Sequence, residues 1–286
     1  MIKFTKSLST LTALSCLCAC GGSNGGGTNT VTYETLGAAS NATSDLGGVA
    51  RQSNSATGVL TLVDTTGSLA HTSGALTINE GAFTFMDADG LTANGVGRDG
   101  TAAYQTNTDL LTGTYAFATV YNLSSVQNGV ATDSLGLIGV ITDPNDLGTG
   151  SATYTGSAAA ILVTDMDGFD LRDGTSTLVV DLQAGTVDAT LRNFSVTNQS
   201  EGAMASVGFD TIALENMAVS DNRFEGDTIR LLSNTTDIAA VGANADASAR
   251  GAFFGYDPSL NSADEVGGLF LMEGDNGLLT GAFLAD

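Results

Sequence analysis

The last 38 residues of the chain, Ala249 to Asp286, constrain its fold more than any other segment. They contain three short apolar runs, 251–255, 266–272 and 278–285, which are rich in glycine and in phenylalanine or leucine. An acidic loop separates the first two runs, and Asp275-Asn276-Gly277 is typical of a tight hairpin turn. Such a segment pairs as an antiparallel meander. Its last run must therefore close a sheet or lie on the edge of one.

The beginning of the chain predicts a bacterial lipoprotein signal. Two lysines precede an apolar stretch, Leu8 to Ala19, that is too short to span a bilayer. Leu17 and Ala19 stand three residues and one residue before Cys20, as in a lipobox. This pattern predicts cleavage after residue 19 and acylation (palmitate or a similar chain) of the Cys20 thiol, which would anchor the protein in the membrane. The alternative is an ordinary secretory signal that is cleaved without acylation.

The three cysteines of the chain all lie within or at the end of this signal. The exported part is therefore expected to keep only Cys20, which excludes both a disulfide framework and a thiolate metal site. The folded part must then be stabilised by its hydrophobic core, and it is long enough for one large domain or two small ones.

The chain is strongly acidic, with 9 Lys and Arg against 31 Asp and Glu and a formal net charge of −22. Both lysines lie in the predicted signal, so the remaining basic residues are all arginines. The absence of a basic stretch argues against nucleic-acid binding and against side-chain adhesion to anionic lipid. Two interpretations of the charge remain open, which are attraction of a cationic partner surface and solubility in saline surroundings.

The composition divides the chain into four parts. Residues 1–19 are the predicted signal peptide, and residues 20–30 form a tether of glycine, serine, asparagine and threonine. From residue 31 onward β-branched residues, alanine and glycine dominate, and no helical apolar stripe is longer than two turns. Residues 31–147 are predicted to form a twisted antiparallel sheet with long loops. A linker around Pro144 precedes a second domain, residues 148–286.

The second domain shows the clearest strand pattern. In the hairpin 176–192, apolar and polar residues alternate with a period of two, which is typical of a sheet with one face in water. About eight strands are expected between Ala152 and Ala285. An eight-stranded barrel is just wide enough to be filled by its own side chains. The residues predicted to fill it are Leu178, Val180, Leu182, Val187, Leu191, Leu269 and Leu271.

Several spaced motifs in this half resemble those of the β-barrel domain of transferrin-binding protein B and its lipoprotein relatives. They are G-x-A-x-Y-x-G at 150–156, N-x-F-x-G at 222–226, G-x-F-F-G at 251–255, A-x-E-x-G-G-x-F at 263–270 and G-x-F at 281–283. The resemblance implies an all-β protein in which an eight-stranded antiparallel β-barrel follows an N-terminal β-rich, handle-like domain. Factor H-binding protein is a related example of this handle-plus-barrel arrangement.

The residues that could perform catalysis are few, so we expect no enzyme and no cofactor. His71 is the only histidine, which excludes a multi-histidine metal site, and the chain has no GxSxG motif. His71 is interpreted as an exposed polar residue, with a lone haem ligand as the alternative. Asp165, Asp167 and Asp170 are candidate calcium ligands, but the same Asp-Gly pattern is the usual chemistry of a hairpin turn.

Tyrosines flanked by small residues are the candidate partner-binding residues, because exposed aromatic anchors are common in protein interfaces. They are Tyr104, Tyr115, Tyr121 and Tyr256, and the alternative is that they cap the core. The resemblance implies an outer-membrane or cell-surface lipoprotein whose loops bind a protein partner, such as an iron or haem carrier. Two alternatives are a structural or adhesive surface lipoprotein without a soluble ligand and a protein that collects haem or metal directly.

Overall fold

The computed structural model describes residues 32–54, 56–81, 83–87, 96–99, 102–106, 110–127, 130–259 and 261–286. The predicted signal, the tether and Cys20 lie outside these residues. Within the described ranges no helix is long and apolar enough to cross a bilayer. Thr32–Asp286 forms one compact unit that consists of two antiparallel sheets.

The first sheet is N-terminal and has eight strands in the order β4-β3-β2-β1-β8-β7-β6-β5. Asp99 on β5 accepts a hydrogen bond (3.1 Å) from the backbone N–H of Met86 on β4, so the two ends of the sheet approach one another. The sheet is therefore nearly closed. Its strands are β1 (Thr43–Asn54), β2 (Leu60–Ala70), β3 (Ala75–Glu80), β4 (Phe83–Asp87), β5 (Val96–Asp99), β6 (Ala102–Thr106), β7 (Ala118–Gln127) and β8 (Val130–Val140).

A short 3₁₀ helix, Pro144–Asp146, leads from the first sheet into the second. Eight strands of the second sheet form a closed ring in the order β9, β19, β18, β17, β14, β13, β11 and β10, and β10 pairs again with β9. The strands are β9 (Ser151–Thr164), β10 (Gly168–Asp181), β11 (Thr186–Arg192), β12 (Ser195–Asn198), β13 (Thr211–Ser220), β14 (Arg223–Gly226), β15 (Ile229–Ser233), β16 (Thr236–Asp237), β17 (Asp246–Phe254), β18 (Glu265–Gly274) and β19 (Gly277–Ala285).

This architecture confirms the predicted fold class, an eight-stranded antiparallel barrel preceded by a β-rich domain. The last strand closes the ring, because β19 pairs with β18 on one side and with β9 on the other. Leu178, Val180, Val187 and Leu191 belong to the barrel core as predicted, and Leu182 packs against that core half-buried.

The prediction for Leu269 was wrong. Leu269 packs in a separate cluster with residues of the first sheet, on the outer face of the barrel. Leu271 lies two residues further along β18 and is also buried, and the period of two places it on the same outer face. The physical reason is that β18 is apolar on both faces, so its sequence cannot indicate which face is inside.

Aromatic rings in the barrel pack over glycines on the neighbouring strands. A Cβ atom added to Gly281 would lie 2.6 Å from Phe270, and one added to Gly251 would lie 2.2 Å from Phe224. The strand glycines therefore provide room for rings that fill the interior. This packing explains why glycine and phenylalanine recur together in the closing strands.

The outer face of β9 and of β17 to β19 packs on the first sheet through a shared apolar cluster, which includes Phe254, Leu269 and Leu284 of the barrel and Val120 and Leu137 of the first sheet. We predict that the fragment 148–286 still folds cooperatively, because its ring closes without the first sheet. With this face uncovered the fragment should self-associate, and thermal unfolding by circular dichroism with light scattering would measure both effects. A non-cooperative melt would show that the two sheets require one another to fold.

Candidate functional site

Glu265 connects the barrel to the first sheet. It is 2 % exposed at the start of β18, and its carboxylate accepts backbone N–H hydrogen bonds from Ala116, from Phe117 (3.1 and 3.2 Å) and from Ala118 (2.9 Å). Burial raises the pKa of Glu265 to about 7, although the backbone hydrogen bonds favour the ionised form. Glu265 is the acid of the A-x-E-x-G-G-x-F motif, for which the sequence alone suggested no role.

Two arginines also connect the barrel to the first sheet, and we call this contact region between the two sheets the junction. Arg223 of β14 donates to the carbonyl oxygens of Gly48 and of Thr65 (2.8 Å) in the first sheet. Arg51 of β1 donates to the Thr280 hydroxyl of β19 (3.3 Å). Burial lowers the pKa of both guanidinium groups. These cations are therefore engaged in structure and are not available at the surface for a partner.

Two side chains singled out from the sequence contribute to the same junction. Asn222 of the N-x-F-x-G motif donates to the Thr142 carbonyl (2.8 Å). Tyr115 is half-buried, and its hydroxyl donates to the Leu284 carbonyl (2.8 Å) and accepts from the backbone N–H of Ser157 (3.1 Å). Tyr115 therefore holds the loop before β7 against the barrel, and its phenol group is occupied.

The expectation that Tyr104 and Tyr121 are exposed was wrong. They are 1 % and 0 % exposed, and their rings lie 5.5 Å apart in the core of the first sheet. The Tyr121 hydroxyl donates to the buried carboxylate of Glu80, which also accepts from Ser134 (2.7 Å). The small neighbours of these tyrosines were read as a surface signal, but small residues also let large rings pack inside a sheet.

The Tyr104 hydroxyl is buried and has no hydrogen-bond partner among the described residues. We predict that Tyr104→Phe raises the free energy of unfolding by about 1–2 kcal/mol, because it removes a desolvated polar group and keeps the ring. Urea unfolding would measure the change. Tyr121→Phe is the control and should destabilise the protein, since it removes a hydroxyl that Glu80 accepts from. A Tyr104→Phe variant less stable than the parent would mean that the hydroxyl does have a partner.

Tyr256 is the candidate tyrosine on a barrel loop. It is half-buried just after β17, its hydroxyl donates to Asn261 (2.9 Å), and its ring lies 5.8 Å from that of Tyr33. The Tyr33 hydroxyl in turn donates to Asp146 (2.6 Å) at the 3₁₀ helix. Tyr256 and Tyr33 therefore form an aromatic pair where the two sheets are connected, and Tyr256 stays a candidate partner-binding residue.

The segment 165–170 forms a hairpin end. The backbone N–H of Thr164 donates to the Asp167 carbonyl (2.8 Å), while Asn198 donates to the Asp167 side chain (3.2 Å) and Gln199 to that of Asp170 (2.9 Å). Asp165 belongs to the turn between β9 and β10. In the part of the chain that the structure describes, no three His, Cys, Asp or Glu side chains are grouped so that they could hold a metal ion.

His71 lies just after β2 and contacts Ser44, whose hydroxyl is 2.8 Å from its Nε2. Its Nδ1 is buried and has no hydrogen-bond partner among the described residues. The Nε2 atom is therefore hydrogen-bonded to Ser44, and the Nδ1 atom is buried. This arrangement does not favour His71 as a haem ligand.

Residues 148–286 match the family model described as the C-lobe and N-lobe beta barrels of Tf-binding protein B. The match covers the whole second sheet and begins just after the 3₁₀ helix. No curated protein sequence matches the chain.

Two of the similar solved structures are transferrin-binding protein B molecules. A double mutant of the protein from Haemophilus parasuis Hp5 is 15 % identical with a TM-score of 0.48, over 84 % of this chain and 44 % of that one. Isotype 1 from serogroup B Neisseria meningitidis is 16 % identical with a TM-score of 0.47, over 84 % of this chain and 43 % of that one. This chain matches less than half the length of either protein.

Proposed function

We propose that this protein, whose residues 148–286 form a barrel of the transferrin-binding protein B type, is a lipid-anchored surface protein that binds a protein partner and is not an enzyme. The observation that carries the proposal is the family match of the barrel domain. The barrel core supports it, because apolar side chains such as Leu178 and Phe270 occupy the interior. The surfaces that a macromolecule could contact are then the loops and the first sheet.

The partner we propose is an iron or haem carrier with a basic surface. The matched family is named for transferrin binding. The net charge of −22 would attract a basic surface and accelerate the encounter at low salt. Direct capture of haem or metal is less well supported, because His71 is engaged with Ser44 and the described acidic side chains form no metal-binding group.

Surface plasmon resonance with the immobilised protein would test the proposal, with transferrin and haemoglobin as the probes. We expect saturable binding of one carrier that weakens as salt is raised, and a further loss of affinity in Tyr256→Ala. Tyr104→Phe, which removes only a buried hydroxyl group, is the matched control and should bind like the parent. If neither probe binds a protein that protease shaving shows to be outside the cell, the structural or adhesive alternative is favoured.

The anchor is proposed to be the acylated Cys20, in the outer membrane. We predict that Cys20→Ala abolishes incorporation of an alkyne-labelled fatty acid and leaves the protein as unprocessed precursor or in soluble form. Cys16→Ala and Cys18→Ala are the matched controls and should be labelled like the parent. Labelling of the Cys20→Ala variant would indicate that Cys16 or Cys18 is the acylated residue. Unchanged labelling of all three single variants would contradict the single-site anchor.

A further inference from the structure

A cavity of about 520 Å³ opens in the barrel wall where strand β10 changes partners. β10 pairs with β11 over 175–181 and with β12 over 169–172. Between these two stretches the register of β10 with its other neighbour, β9, shifts at Leu171/Gly174, and Asp173 in this bulge has a φ of 54°. Bulges bend a strand and end its regular pairing. The wall therefore opens beyond the end of β11.

The lining of this cavity is mixed, and its apolar part reaches the barrel core. Leu171 and Phe209, at 0 % and 8 % exposed, belong to the barrel core, so the cavity reaches that core. Phe194 and Val196 form part of the wall and are half-buried. The ring of Phe194 lies over Gly174, where an added Cβ would be only 2.3 Å from it. A ligand entering here would meet apolar surface from several strands.

The rim carries one unpaired cation. Arg192 is exposed at the end of β11 and lines the cavity, and within the described residues its guanidinium forms no ion pair or hydrogen bond. The acid in the lining, Asp210, accepts from the Thr211 hydroxyl (2.7 Å) and from the backbone N–H of Asn234 (3.1 Å). These two hydrogen bonds, together with the nearby charge of Arg192, lower the pKa of Asp210. The Arg192 guanidinium therefore lies near Asp210 without forming a hydrogen bond to it.

The rim also includes a strained turn. Asn234 and Thr235 connect β15 to β16 as a two-residue loop with φ values of 47° and 76°. Two-residue turns of this kind favour glycine at the second position, where this chain has a β-branched threonine. Such strain tends to be kept at binding sites. The turn places the Thr235 side chain in the cavity lining.

We propose that this cavity binds a small amphipathic carboxylate, with its apolar chain on Leu171, Phe194 and Phe209 and its carboxylate paired with Arg192. The volume lies within the range of roughly 300–1,000 Å³ typical of small-molecule sites. An arginine can hold a carboxylate through two parallel hydrogen bonds, which combines affinity with orientation. The rim of the site includes the barrel loops 193–194 and 234–235, but the binding of a small carboxylate does not depend on the proposed protein partner.

Isothermal titration calorimetry with decanoate would test this site. The soluble form of the Cys20→Ala chain carries no acyl group and avoids the need for detergent, which would compete for the cavity. We expect one saturable site, weaker binding of methyl decanoate, and an affinity about tenfold or more lower in Arg192→Gln, because a hydrogen bond to a charged group is lost. Ser206→Trp, which places a large ring in the exposed lining, should abolish binding.

Arg172→Gln is the matched control, because Arg172 is an exposed arginine of β10 that does not line the cavity. It should bind decanoate like the parent. Thermal melts would confirm that the variants are folded, as expected for exposed positions. An absence of saturable binding would overturn the proposal, and so would equal affinity in Arg192→Gln or in Ser206→Trp. Neither result would bear on the binding of a protein carrier.

Discussion

Phe283→Ala is expected to lower the free energy of unfolding by about 3–5 kcal/mol, a large share of the ~5–15 kcal/mol typical of a domain. Phe283 is fully buried in β19, and its ring lies 6.5 Å from that of Phe224 inside the barrel. It also covers Gly268 on β18, where an added Cβ would be 2.9 Å from the ring. Truncation of the Phe283 side chain would leave a cavity at the point where the last strand closes the barrel.

Thermal and urea unfolding would measure this loss, with an expected decrease in melting temperature of about 10 °C for a chain of this size. Val179→Ala is the matched control, since Val179 lies on β10 with 46 % of its surface exposed. It should change stability by less than about 1 kcal/mol. If Phe283→Ala melts like the parent, β19 does not contribute to closing the barrel.

Glu265→Ala is the second change with a large expected effect, a loss of about 3 kcal/mol or more. It would leave three backbone N–H groups of residues 116–118 without their acceptor, and although only that of Ala118 is fully buried, a buried unpaired group costs about 1–3 kcal/mol. Glu273→Ala, at an exposed acid of the same strand, is the matched control and should be nearly neutral. Stability unchanged by Glu265→Ala would mean that water replaces the carboxylate at the junction.

The titration of Glu265 adds a separate, pH-dependent contribution to stability, which comes from the proton that the folded state holds. Its pKa is raised from 4.5 to about 7 in the folded protein, so the folded state holds a proton that the unfolded chain has released between these values. The contribution is fully present below about pH 4.5 and is lost as the pH rises through 7. We expect urea melts to show this fall for the parent relative to Glu265→Gln, in which the group cannot titrate. Parallel pH profiles for the two proteins would contradict the assignment.

The sequence alone determined the orientation of strands that have one face in water. In β10 and β11 apolar and polar residues alternate, so Leu178 and Val187 could be placed inside before the structure was known. The closing role of 278–285 was predictable for a related reason. An apolar, glycine-rich strand at the end of a meander either closes a sheet or lies on its edge, and the structure shows that it closes the barrel.

Only the tertiary structure decided which neighbour each face contacts in the strands that are apolar on both faces. In the G-x-F-F-G motif, Phe254 faces the first sheet, while Phe253 points into the barrel. Adjacent phenylalanines on a strand must point to opposite faces, and both faces of β17 are apolar at this point. The same ambiguity explains the wrong expectation for Leu269.

The junction and the cavity could not be predicted either, because each is formed by residues far apart in the chain. Glu265 and its donors at 116–118 are separated by about 150 residues, and no local pattern connects them. The cavity depends on the point at which β10 leaves β11 for β12, a choice of pairing that the alternation of β10 does not encode. Local patterning fixes which side of a strand meets water, whereas long-range packing decides which buried side meets which neighbour.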